Sequence, residues 1–132
     1  MKNTINLLTG SVKLYLGLLI ISTAGILYAT LFPTNYEVPQ SFYGLDKVVH
    51  FIMFGAWTFF FGIVRFLKNN YKLLSVFIVA VIFGITIEIL QHWLPTGRSF
   101  ELYDLLADFA GTAVAILTLY ILSKTVPQFS SN

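Results

Sequence analysis

Between Gly84 and Gly111 the chain reads GITIEILQHWLPTGRSFELYDLLADFAG: the end of one apolar run, a short polar loop, and the start of another. Glu88, Arg98, Glu101, Asp104 and Asp108 sit in it, with Gln91 and His92 among them. A second group, Asp46, Lys47 and His50, opens an earlier apolar run. Carboxylates beside imidazoles can trade protons or orient a ligand. Arg98 offers a planar fork that suits carboxylate and phosphate oxygens. Ionisable groups set against membrane-spanning sequence are costly, which makes them functional candidates by default.

Their spacing is regular. Asp46 and His50 stand at i and i+4, as do Glu88 and His92, and again Asp104 and Asp108, while Gln91 is at i+3 from Glu88. Side chains at these offsets share one face of a helix. Three helices would each present one polar stripe at one end, and the simplest packing turns the stripes toward each other. Glu88 would then lie about 9 Å inward of Leu94, at 1.5 Å of rise per residue. A carboxylate at that depth needs a partner, which His50, His92 or Arg98 could supply.

The elements that must hold these groups are legible from composition. The 132 residues are 57% hydrophobic and 11% charged, against about a quarter charged in soluble domains. The sequence predicts an all-α, integral membrane four-helix bundle in a single domain, residues 1–132. Its helices are expected at about 14–31, 48–66, 73–94 and 102–123, each near the ~20 residues that cross a bilayer core. Lys2, Lys13, Arg65, Lys68, Lys72 and Lys124 fall on one side and only Lys47 and Arg98 on the other. The first side is therefore expected to be cytoplasmic, with both termini, and the polar cluster to face outward. The run after Lys13 is too long for a cleaved signal and is expected to be the first span. Gly111 and Ala115 form a small-xxx-small pair suited to close helix approach, a purpose Gly55, Gly62 and Gly84 could share. Homo-oligomers are compatible with such surfaces.

Other chemistries find little support. With no cysteine there is no thiolate nucleophile, disulfide or soft metal ligand. There is no phosphate-binding glycine loop, nucleophile elbow or basic nucleic-acid patch, so neither a cofactor nor nucleic acid is expected. No H-E-x-x-H-type spacing is present, and no metal is expected on that ground. Ser99, near Arg98, is a conceivable but weak nucleophile. Arg98 pairing with Glu101 or Asp104 could also be a plain loop salt bridge, and Asp104 could simply favour a helix N-terminus. Trp57 and Phe59-Phe60-Phe61 read as lipid-facing or core filling.

Three blocks together resemble the VanZ-like family of bacterial membrane proteins. They are Asp46-Lys47-x-x-His50-Phe51 with Phe54-Gly55, then Glu88-x-x-Gln91, then Arg98-Ser99-Phe100 with Asp104 and Ala110-Gly111. Asp108 departs from the pattern, in which Asn is usual. The family takes its name from a teicoplanin-resistance protein. The resemblance therefore implies a multi-pass protein of the bacterial cytoplasmic membrane with an envelope-facing role. Its shared polar positions fall here on Asp46, Lys47, His50, Glu88, Gln91, Arg98 and Asp104. The expected partners are membrane lipids and a lipid-linked cell-wall precursor or a glycopeptide, bound through an anionic group. A membrane-embedded hydrolase or transferase, with Glu88 or Asp104 as base and His50 or His92 as acid, is the rival reading. A purely structural role, with the cluster fixing helix packing, is a third.

Overall fold

A computed structural model describes residues 12–32, 44–70, 72–95 and 100–126. Among them run four helices: α1 (Val12–Leu31), α2 (Leu45–Leu67), α3 (Leu73–Trp93) and α4 (Leu102–Thr125). All four are long and apolar enough to cross a membrane. The observed helices match the expected spans, with one shift that bears on function. Helix α2 begins at Leu45, so Asp46 and Lys47 lie in its first turn. Gly44 precedes it at φ 105°, a left-handed conformation open to glycine, and its N–H donates to Asp46 Oδ1 at 3.2 Å. At the other end Asn69 adopts φ 57°, and the Asn70 N–H closes the helix on the Arg65 carbonyl at 2.9 Å.

The helices run alternately up and down. One apolar cluster joins the start of α1, the end of α2, the start of α3 and the end of α4: Ile63, Phe66, Val76 and Leu119, with Tyr15 and Leu122 against them. A second, nearer the middle, packs Ile26, Phe54, Trp57, Ala80 and Ile87. Trp57 is thus core rather than lipid-facing, and its indole N–H donates to Thr23 Oγ1 on α1 at 2.8 Å. That bond satisfies the one polar atom of a large buried ring.

The most extensive interface joins α2 to α4. It is made close by glycine. A Cβ on Gly55 would stand 3.2 Å from the Gly111 carbonyl oxygen. One on Gly111 would stand 3.1 Å from the Gly55 nitrogen and would run into the Phe51 carbonyl. Those neighbours are backbone and cannot swing aside. Just beyond this crossing, Thr58 and Thr112 hydroxyls meet at 3.3 Å, both buried. Such hydroxyl contacts between apolar helices add affinity where lipid offers no competing partner. Helix α1 is the least embedded, burying only Ile26 and Thr30.

Candidate functional site

The crossing of α2 and α4 sets two polar residues face to face. His50 lies five residues before Gly55, and Asp108 three before Gly111. His50 Nδ1 and Asp108 Oδ1 share a hydrogen bond of 2.8 Å, with both residues buried. With Asp108 as the carboxylate, Nδ1–H is the donor and the Asp108 carboxylate fixes the ring's orientation. The other ring nitrogen, Nε2, lies 3.9 Å from Asp104 Oδ2, one turn up α4.

Helix α3 supplies Glu88, fully buried. It belongs with His50 and Asp108 to a set in which one ligating atom from each lies within 4.8 Å of the others. Glu88 Oε2 accepts from the Glu101 N–H at 3.3 Å, which ties the end of α3 to the residue just before α4. Gln91, one turn on, donates from Nε2 to the Thr30 carbonyl of α1 at 3.0 Å. Through these two residues α3 anchors both neighbours that flank the site.

Above this buried layer, Lys47 occupies the mouth. Its ammonium stands 2.6 Å from Asp46 Oδ2, 2.6 Å from Glu101 Oε2 and 3.0 Å from Asp104 Oδ1. The side chains of Lys47, Asp46 and Glu101 are 29%, 41% and 49% exposed, so the pairs to Asp46 and Glu101 are screened and individually weak, while Asp104 is buried. The site is therefore two-tiered: a wet ammonium ringed by three carboxylates, and a dry His–Glu–Asp layer beneath it. Asp104 touches both tiers.

Of the residues singled out in sequence, Asp46, Lys47, His50, Glu88, Asp104 and Asp108 come together at one end of the bundle, and Gln91 braces them. His92 does not join them. It is exposed on α3, because its position is rotated about 100° from the inward-facing Gln91. Arg98 and Ser99 lie outside the described residues. Lys47 pairs with both carboxylates, Glu101 and Asp104, that the sequence offered to Arg98 as salt-bridge partners. Glu101, noted in the sequence only within the polar stretch and as an Arg98 partner, joins the site, and Thr30 is a member the sequence did not single out. Thr30 contributes a backbone carbonyl, which leaves no trace in residue type.

The VanZ/LLP1 family model matches residues 5–123. The chain belongs to the VanZ/LLP1 family. No curated protein and no solved structure matches it. Membership spans all four helices and both tiers of the site, so the bundle as a whole, rather than one motif, carries the likeness.

Proposed function

We propose that this VanZ-family protein sits in the bacterial cytoplasmic membrane with its polar end outward, and there engages an anionic, lipid-linked cell-wall precursor. The observation that carries the reading is Lys47 and its three carboxylates at the mouth of an otherwise apolar bundle. Because the Lys47–Glu101 pair is half exposed, an incoming phosphate can replace Glu101 at little cost. Arg98, three residues before Glu101, adds a second cation suited to bidentate contact. The lipid-exposed flanks of the bundle would accommodate the tail. A link to teicoplanin-type resistance follows if occupancy changes how much precursor the glycopeptide can reach.

The test is binding of a polyisoprenyl phosphate to the purified chain in nanodiscs, against phosphatidylglycerol as competitor. Selective binding that falls at least about ten-fold in Lys47→Ala and Arg98→Ala is expected, the scale of one lost charge-assisted contact. Equal retention of both lipids, or no change in either variant, overturns the reading.

A second reading has a specific observation in its favour. A histidine oriented by a carboxylate at Nδ1, with Nε2 making no hydrogen bond among the described residues, is held as a general base or acid would be. The chain would then be a membrane-embedded hydrolase or transferase acting on the same lipid-linked substrate class. Turnover of a lipid-linked phosphate ester that vanishes in His50→Gln but survives in His92→Gln would favour it over simple binding.

A further inference from the structure

We infer that the buried layer of His50, Glu88 and Asp108 is a site for one divalent transition-metal cation of the zinc or manganese kind. The inference needs no lipid ligand and stands apart from the binding role above. Its first support is convergence. One ligand atom from each residue falls within 4.8 Å of the other two, although the residues come from three different helices. Small side-chain adjustments would bring them to the ~2.0–2.2 Å bonds of such ions.

The second support is unmet hydrogen bonding. His50 Nε2, Glu88 Oε1 and Asp108 Oδ2 are each buried without a hydrogen-bond partner among the described residues. The residues themselves are 3%, 0% and 2% exposed. A buried polar atom left unpaired costs on the order of 1–3 kcal/mol, and each of the three residues carries one. Charge points the same way. Glu88 and Asp108 are two carboxylates in a dry layer, and Lys47, the described cation nearest the mouth, is already shared by Asp46, Glu101 and Asp104. A doubly charged ion balances two carboxylates; an imidazolium balances one.

The ligand set selects the ion. One imidazole with two carboxylates suits borderline metals better than magnesium or calcium, which prefer oxygen alone. The absence of cysteine removes the soft ligands that would favour copper(I). The upper acidic set, Asp46, Glu101 and Asp104, is not a competing site, because the Lys47 ammonium already stands among its oxygens. On the His50 side the layer borders open space. A cavity of about 170 Å³ between α1 and α2 is lined by Ile26, Thr30, Asp46, Val49, His50 and Met53.

The experiment uses the untagged full chain in nanodiscs, stripped with a chelator and titrated calorimetrically with zinc, manganese and, as control, magnesium chloride. One zinc or manganese per chain is expected, with protons released on binding, as ligands must shed theirs to coordinate. Glu88→Gln and His50→Gln should each weaken it at least about ten-fold, the effect seen even for groups one step removed from a metal. His92→Gln, exposed and off the cluster, should bind like the wild type. If either site variant fails to fold, as judged by circular dichroism, the wild type still decides. Cobalt loaded into it should give a visible spectrum with nitrogen ligation. No stoichiometric binding by folded wild type, or undiminished binding in both folded site variants, overturns the inference.

Discussion

At the scale of single residues, the His50–Asp108 pair is the most exacting feature. Removing one partner leaves the other buried and uncompensated, which costs about 3–5 kcal/mol for a buried pair. His50→Leu and Asp108→Leu are each expected to destabilise the bundle by that order, while the double variant should lose much less than the sum. A double-mutant cycle by reversible unfolding in bicelles measures the difference, with a coupling of about 1–3 kcal/mol expected. Coupling near zero would mean the two side chains do not share a bond in the membrane. Lys47→Gln should behave differently. It releases two half-exposed ion pairs and one to the buried Asp104, so a loss of about 1–2 kcal/mol is expected in the same unfolding measurement. Much of this layer was readable in the chain, because polar residues at i and i+4 in apolar sequence have few places to point. What spacing could not distinguish was His92 from Gln91. Both neighbour Glu88 on the helix surface, and only the direction from which α1 and α4 pack decides which is inside.

At the scale of elements, the glycine crossing makes a sharp prediction. Alanine favours a helix over glycine by up to about 1 kcal/mol, so Gly→Ala in open space should be neutral or stabilising. Gly17, with nothing within 4 Å of a Cβ, is that case. Gly111→Ala must push α4 off the α2 backbone and should lose about 1–3 kcal/mol despite the better propensity. Thermal unfolding of the two variants side by side reads the contrast, and equal stability of both would refute the close approach. The small-xxx-small pattern revealed that Gly111 meets a helix. It did not reveal which helix, because glycines are present on α2 and α3 alike, and only the close approach of the Gly55 and Phe51 backbones to it singles out α2. The start of α2 was legible in part. The i, i+4 spacing of Asp46 and His50 put both on one helix face, while the span expected from hydropathy began only at 48; the left-handed Gly44 sets the start at Leu45.

At the scale of the whole molecule, span number and length were written plainly in hydropathy, since lipid leaves a chain of this composition little choice but helices. Orientation rests on the distribution of Lys and Arg, and it is directly measurable. The chain has no cysteine, so single-cysteine variants label cleanly. Trp93→Cys, exposed at the polar end, should react with a membrane-impermeant maleimide in intact cells. Asn69→Cys, exposed in the turn between α2 and α3, should react only after lysis. The opposite pattern would put the polar site in the cytosol and remove an extracellular ligand from consideration.

The place where α2 and α4 touch backbone to backbone also acts as a fulcrum. His50 lies about 7.5 Å along α2 from Gly55, and Asp108 about 4.5 Å along α4 from Gly111, at 1.5 Å per residue. The opposite ends of the two helices stand more than about 15 Å away by the same rise. When a thinner or thicker bilayer changes helix tilt, the far ends therefore swing through arcs at least twice as wide as the ends that carry the imidazole and carboxylate. Short lever arms would let one protein keep its polar geometry across membranes of differing thickness, and reconstitution in lipids of graded acyl length offers a direct way to watch it.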